Sequence, residues 1–305
     1  MGAGEFSLKA SSEFSPQVDR LIELALEEDI GPGDITTQAL IAPEKQGAAE
    51  IRAKEPLVVA GLPVAARVFL KLDREVQFLP LVAEGQEVEA GAVLARLRGP
   101  VAAILTGERV ALNFLMRLSG IATFTRRAVA AVRDFPVALV DTRKTTPGWR
   151  LLEKYAVRVG GGKNHRFGLY DGVLIKTNHL TAVGSIPEAV RRAREKVHQL
   201  LKIEVEVSDL TGLEEALAAG ADLVMLDNME EAALAEAVRR AQGRAILEAS
   251  GGMTLARLPR VAATGVRYIS MGALTHSAPA VDLHLRLLEG EAPPGGKAQR
   301  SGGDR

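Results

Sequence analysis

Six short segments between about residues 137 and 276 put charged or glycine residues at or beside the end of an apolar run. The first is Asp141-Thr142-Arg143-Lys144-Thr145-Thr146-Pro147-Gly148. The second run is preceded by Gly160-Gly161-Gly162-Lys163-Asn164-His165-Arg166 and ends in Lys176-Thr177-Asn178-His179. The third carries Glu204 and Glu206, and the fourth ends in Asp227-Asn228. The fifth carries Glu248 and ends in Ser250-Gly251-Gly252; the sixth ends in Met271-Gly272-Ala273, with His276 beyond. Arg143, Lys144, Lys163, Arg166 and Lys176 make an anion pocket, and paired arginines suit a planar or multiply anionic ligand because the guanidinium grips carboxylate or phosphate with two prongs. Glu206 and Asp227 suit Mg²⁺ or ribose hydroxyls. The two glycine-bearing turns, read as leading into helix starts, offer backbone N–H groups to a phosphate. The sum is a phosphosugar site with a second anionic partner.

Each piece also has a plainer reading. A Gly-Gly after a strand is often only a turn, and a strand-end Lys is often solvated. One of Glu204 and Glu206, which share a strand face, could simply pair with an Arg. His198, on a helix beside Lys196, reads as surface, His284 as structural and Trp149 as packing. What the plain readings explain poorly is the gathering of all these groups at one end of one sheet.

Positioning them requires parallel strands. The runs 137–141, 171–176, 201–207, 221–227, 244–250 and 267–273 alternate with helical stretches over 148–158, 186–199, 212–219, 230–240 and 255–263. Apolar runs joined by helical crossovers imply a parallel sheet, whose catalytic groups sit at the strands' C-terminal ends. The pattern fits an incomplete TIM-like α/β barrel of about six strands or an open doubly wound sheet; no Gly-x-Gly-x-x-Gly follows the first strand, which disfavours a dinucleotide fold. The earlier region is α+β in texture: a helix over 18–28 broken by GPGDITT, strands over 48–60 and 74–82, a helix over 62–72, and alternating residues around Gly85 and Gly91. A long helix over 106–132 is expected to break near Gly120. The domains are read as 16–115 (α+β), 116–276 (barrel) and a return segment 277–290 packing on the first domain. Residues 1–15 and the Gly/Pro-rich 291–305 are read as disordered.

Composition narrows the class. The chain of 305 residues balances 38 basic against 38 acidic side chains, which disfavours a general nucleic-acid binder. Without cysteine there is no disulfide, thiol nucleophile or Cys-held metal. No run reaches the apolar length of a membrane span, no secretory signal opens the chain, and a cytoplasmic protein is expected. Scarce Asn and absent Cys hint at a thermophile.

The segments DTRKTTPG, KNHRFGLYDGVLIKTNH, EVEV, LDNM, ASGG and MGALTHS, with GERVALNFLMRLSGIAT and EDIGPGDITT before them, closely resemble the quinolinate phosphoribosyltransferases over about residues 17–288. The resemblance implies an N-terminal α/β sandwich or hammerhead-like domain, an incomplete barrel, and a homodimer at minimum, with a trimer of dimers as a further arrangement. It implies transfer of a phosphoribosyl group from phosphoribosyl pyrophosphate to quinolinate with loss of CO₂, giving nicotinate mononucleotide and pyrophosphate, with Mg²⁺, in NAD biosynthesis. Carried over by position, Arg109 is the quinolinate-binding arginine given by the other subunit. Arg143, His165, Arg166 and Lys176 complete the quinolinate pocket, with Thr142 and Lys144 in the same segment. Glu206 and Asp227 are the ribose and metal carboxylates; Lys144 and Lys176 stabilise leaving charge. Ser250, Gly251, Gly252, Met271, Gly272 and Ala273 form the phosphate cradle, with His276 beside it. Three alternatives stay open: a paralogue associated with molybdenum transport, a Schiff-base aldolase using Lys144 or Lys176, and a non-enzymatic ligand-binding barrel.

Overall fold

The computed structural model describes residues 16–289; the expectations for 1–15 and 291–305 lie outside them. The chain divides into two compact units, one ending at Ser119 and resuming at Ala280, the other spanning Gly120–Pro279.

The first unit opens with α1 (Pro16–Ile30), whose Val18, Ile22 and Leu26 recur every fourth residue and are buried. The short α2 (Ile35–Leu40) starts at Asp34, whose carboxylate accepts the Thr37 N–H at 2.9 Å. There follow β1 (Gln46–Ala53), β2 (Leu57–Val58), α3 (Leu62–Leu72), β3 (Gln77–Pro80), β4 (Glu87–Val88), β5 (Val93–Pro100) and α4 (Val101–Ala131). The expected strand over 48–60 is thus two strands in different sheets. Pro56, which has no N–H to give a ladder, stands between them. The last described strand, β12 (Leu283–Leu288), returns to pair antiparallel with β1, giving the order β12-β1-β5-β3. Along β5, buried Ala95 and Leu97 alternate with exposed Arg96 and Arg98, the period of a half-covered sheet, whereas β1 buries Ala48, Ala49, Glu50 and Ile51 in succession.

The break expected near Gly120 does not occur: α4 runs unbroken, and the division between the units falls within it. Leu118, Ser119, Ile121 and Ala122 are all fully buried. Packing on that scale outweighs the roughly 1 kcal/mol that a helical glycine costs.

The second unit runs β6 (Ala138–Val140), α5 (Arg150–Val159), β7 (Val173–Ile175), α6 (Thr177–Val183), α7 (Ile186–Lys196), β8 (Ile203–Val207), α8 (Leu210–Ala218), β9 (Leu223–Asp227), α9 (Glu231–Ala241), β10 (Ile246–Ser250), α10 (Leu258–Ala262), β11 (Tyr268–Ser270) and α11 (Ala273–His276). The short α6 directly after β7 was not anticipated. The helix expected over 186–199 ends at Lys196, so His198 lies beyond it, exposed. All six strands are parallel, in the order β6-β11-β10-β9-β8-β7. The first strand therefore sits beside the last, and two strands consecutive in sequence, β6 and β7, are the edges. One cavity takes lining from every strand: Val140, Val173, Glu204, Leu223, Ile246 with Glu248, and Tyr268. The sheet is thus curled around a common interior, a six-stranded barrel open between its first and second strands. Across that seam a single bridge joins Val140 and Lys163.

Candidate active site

A cavity of about 570 Å³ opens at the C-terminal ends of these strands. Its basic side carries Thr142, Arg143, Lys144, His165, Arg166 and Lys176. Facing them are Glu206, Asp227, Asn228, Ser250, Gly251 and Gly252. Eleven of the residues expected from sequence therefore share one lining. Met271, Gly272, Ala273 and His276 are not part of it; Ser270 lines the cavity from β11 instead. Met271 is buried, while Gly272 underlies Lys144 and His276: a Cβ there would meet both at 3.1 Å. Arg109 belongs to the other unit, exposed on α4.

The basic side is built on α5. Glu153, fully buried, accepts the Thr146 N–H at 3.1 Å and its hydroxyl at 2.9 Å, fixing the loop after β6. Arg150 reaches Thr145 Oγ1 at 3.0 Å and the Phe167 carbonyl at 3.2 Å, joining the two basic loops. Lys154 is completely buried and ion-pairs with Asp141, also completely buried. Burial raises the Asp141 pKa and lowers that of Lys154. The hydrogen bonds that converge on the carboxylate, from Lys154, Asn164 and the His165 N–H, oppose that shift in Asp141. Asp141 was read from sequence only as the start of a strand-end segment, with no role given, and Arg150, Glu153 and Lys154 were not singled out. The only available signal was charge at helix positions flanking the buried Leu152, Ala156 and Val157.

Arg166 donates from Nη1 to the Gly172 carbonyl at 2.9 Å, while its buried Nε has no hydrogen-bond partner. Burial, and then the neighbouring Arg143 guanidinium, press its pKa down. Two guanidiniums held close in a half-buried place favour an anion between them. Both ring nitrogens of His165 are engaged: Nδ1 accepts the Arg166 N–H at 2.7 Å and Nε2 lies 3.1 Å from Glu204 Oε2. That arrangement fixes the Nε2–H tautomer. Burial works against a charged ring, but the carboxylates of Glu204 and Glu248 outweigh it and raise the pKa.

Beneath this cavity lies a second one, of about 290 Å³, that shares His165 and Arg166 as its roof and is lined by Glu204 and Glu248. Burial, and next the charge of Glu204, push Glu248 up to about 7. His165, Glu204 and Glu248 bring one ligand atom each within 4.8 Å of one another, and they are the one such metal-compatible trio found among the described residues.

Where the two sides adjoin, at the ends of β7 and β8, Lys176 Nζ is paired with Glu206 Oε2, whose other oxygen accepts from Thr177 Oγ1 at 3.3 Å. Asp227 accepts the Asn228 amide at 2.8 Å. The glycine turn after β10 does not lead straight into a helix, since α10 begins only at Leu258. It is instead a fixed loop. Gly251 has φ +89°, and a Cβ on it would lie 2.2 Å from Asn228 Oδ1. Arg257 staples it to its neighbour, donating to the Gly251 carbonyl at 3.0 Å and the Met229 carbonyl at 2.8 Å. Oxygen donors alone, from two carboxylates beside a backbone cradle, are the set that binds Mg²⁺ together with substrate phosphates.

Comparison with known proteins covers both units. Residues 34–119 match the family model described as the quinolinate phosphoribosyl transferase N-terminal domain, and residues 121–286 match the C-terminal domain of the same family. The chain is 47 % identical over 269 residues to a probable nicotinate-nucleotide pyrophosphorylase [carboxylating] of Bacillus subtilis, covering 88 % of this chain and 93 % of that protein. It is 43 % identical over 280 residues to the human nicotinate-nucleotide pyrophosphorylase [carboxylating], covering 90 % and 93 %. Among solved structures, the nicotinate-nucleotide pyrophosphorylase from Francisella tularensis superposes with a TM-score of 0.86 at 42 % identity, over 90 % of this chain and 98 % of that one.

Proposed function

The chain belongs to the quinolinate phosphoribosyltransferase family, and we propose that it performs the family's reaction in the strand-end cavity of the barrel unit. The reaction moves the phosphoribosyl group of phosphoribosyl pyrophosphate onto the ring nitrogen of quinolinate and loses the adjacent carboxylate as CO₂, giving nicotinate mononucleotide for NAD synthesis. The observation that carries the assignment is the division of one cavity into a basic wall and an acidic, glycine-bearing wall. It fits one substrate with two carboxylates and another with a ribose and phosphates.

Quinolinate sits against Arg143, Arg166 and Lys176, with Thr142 and Lys144 at its edge. His165, through Nδ1, orients the Arg166 backbone beside it. The ribose lies at Glu206 and Asp227, and its 5′-phosphate at Ser250, Gly251 and Gly252. The quinolinate nitrogen lends its lone pair to the anomeric carbon while the C–O bond to pyrophosphate breaks and the leaving oxygens keep that pair. No protein nucleophile is needed, so holding the two reactants in line supplies much of the rate. Glu206 and Asp227 are the residues that would hold Mg²⁺, which when bound neutralises the pyrophosphate charge. Lys144 and Lys176 face the same developing charge. Once the nitrogen is alkylated, the C2–carboxylate bond breaks. CO₂ departs, and the pair left on C2 takes up a proton.

The protein is also proposed to work as a homodimer, in which Arg109 of one copy completes the quinolinate pocket of the other. Arg109→Ala and Lys144→Ala, each inactive, should then complement on mixing. Random exchange gives about half mixed dimers with one intact site of two, hence roughly a quarter of full activity. No recovery despite exchange verified by mass spectrometry overturns the donation. The function itself is tested by CO₂ and nicotinate mononucleotide formation from the two substrates. Glu206→Gln and Asp227→Asn should abolish turnover while calorimetry still detects quinolinate binding; loss of that binding would place the carboxylates elsewhere.

A further inference from the structure

The barrel lacks a strand ladder between β6 and β7, yet that gap is where His165 and Arg166 must be held. Only Lys163 makes strand-like contact there, its N–H reaching the Leu139 carbonyl at 2.8 Å and its carbonyl receiving the Asp141 N–H at 3.1 Å. One residue later the ladder stops, and the buried ion pair takes over. Asp141 accepts the His165 N–H at 2.9 Å, and Lys154 donates to the His165 carbonyl at 3.0 Å. The two halves of the pair therefore grip both backbone groups of His165. Asn164 adds a pin, its amide donating to Asp141 at 2.5 Å and to the Lys154 carbonyl at 2.9 Å.

We infer that Asp141 and Lys154 are positioning residues for quinolinate: the buried pair stands in for the missing strand and sets where Arg166 points. An apolar pair of similar size would serve a mere core role equally well, since replacing a buried ion pair by hydrophobic residues often leaves stability unchanged or raises it. It could not hold a backbone N–H and a backbone carbonyl. Fold and positioning are thereby separable. The inference rests on the reading of Arg166 as a quinolinate ligand.

The test is the double variant Asp141→Val/Lys154→Met, with three readouts. Melting should stay close to that of the unsubstituted protein. Hydrogen exchange across residues 163–167 should accelerate at least tenfold while the other strand-end loops keep their rates. The KM for quinolinate should rise at least tenfold, with the KM for phosphoribosyl pyrophosphate changed less than threefold. A folded double variant with unchanged exchange at 163–167, or with unchanged quinolinate KM, overturns the inference. Should the double variant fail to fold, Asn164→Ala decides, because it removes the pin without stranding a buried charge. A severalfold rise confined to the quinolinate KM supports the inference, and equal KM values overturn it. Arg166→Ala is run alongside. If it leaves quinolinate binding intact, the ligand reading fails by itself, whereas the clamp still stands or falls on the exchange data.

Discussion

Glu248 offers the sharpest quantitative test, because its environment makes a pH-dependent statement about stability. Its side chain is 2 % exposed, next to Glu204, and its pKa is pushed up to about 7 from an ordinary value of 4.5. In the unfolded chain the group ionises near the ordinary value. Between these two values the folded protein therefore holds a proton that the unfolded chain has released. Folded stability contributed by this group is complete below about pH 4.5, falls as the pH climbs through the window, and levels off above pH 7. A displacement of about 2.5 units corresponds to about 3 kcal/mol. Glu248→Gln, which cannot ionise, should escape the loss. Its stability relative to the parent protein should improve by about 3 kcal/mol from pH 4.5 to pH 7.5, or roughly 6–12 °C in melting temperature for a unit of this size. Any fixed cost of placing an amide there is the same at both ends and cancels in the slope. Glu204 remains in both proteins, so His165 keeps its nearer carboxylate at 3.1 Å and loses only the one at 3.8 Å. Paired urea or thermal denaturation across this range supplies the comparison. Parallel pH profiles would refute the reasoning, since they would mean that Glu248 ionises in the folded state as readily as in the unfolded one.

Arg166→Lys should raise the quinolinate KM by an amount worth about 1.5–3 kcal/mol, because an ammonium cannot make a planar two-pronged contact; wild-type kcat/KM in the Lys variant would rule out the fork. Gly251→Ala should weaken phosphoribosyl pyrophosphate binding at least tenfold while quinolinate calorimetry stays unchanged. The loop needs φ +89° and has no room beside Asn228, so equal affinities would take the loop out of the phosphate site.

The polar strand ends were legible in sequence because each chemistry-bearing group follows a short apolar run, and parallel strands place such groups on one rim. Thr142, Arg143, Lys144, Lys176, Glu206 and Asp227 were found in this way and share the cavity. The residues that hold them were not legible. Glu153 and Lys154 read as an ordinary charged face of an amphipathic helix, and only three dimensions reveal that both are at 0 % exposure. The proline that splits the 48–60 run was visible, but the apolar residues on both sides of Lys54-Glu55-Pro56 hid its effect. Gly120 misled in the opposite direction, since a local propensity was overruled by burial on both sides. Met271 and its two neighbours carry a family motif, yet their lining role passes to Ser270, one residue earlier, because the strand ends there.

The way the two sheets are closed has a consequence for synthesis on the ribosome. Among the described residues the only ladder partner of β6 is β11, where Ala138 meets Tyr268, 130 residues further along the chain. In the first unit, β1 at Ala48 meets Leu288, 240 residues later. A nascent chain emerging at about 5–20 residues per second therefore exposes its β6 edge for many seconds before a partner exists. Neither unit can complete its sheet until its own last strand has been made, so β12 acts as a latch on β1. Pairing across these separations, rather than the appearance of any single helix, is what commits each unit to its native sheet.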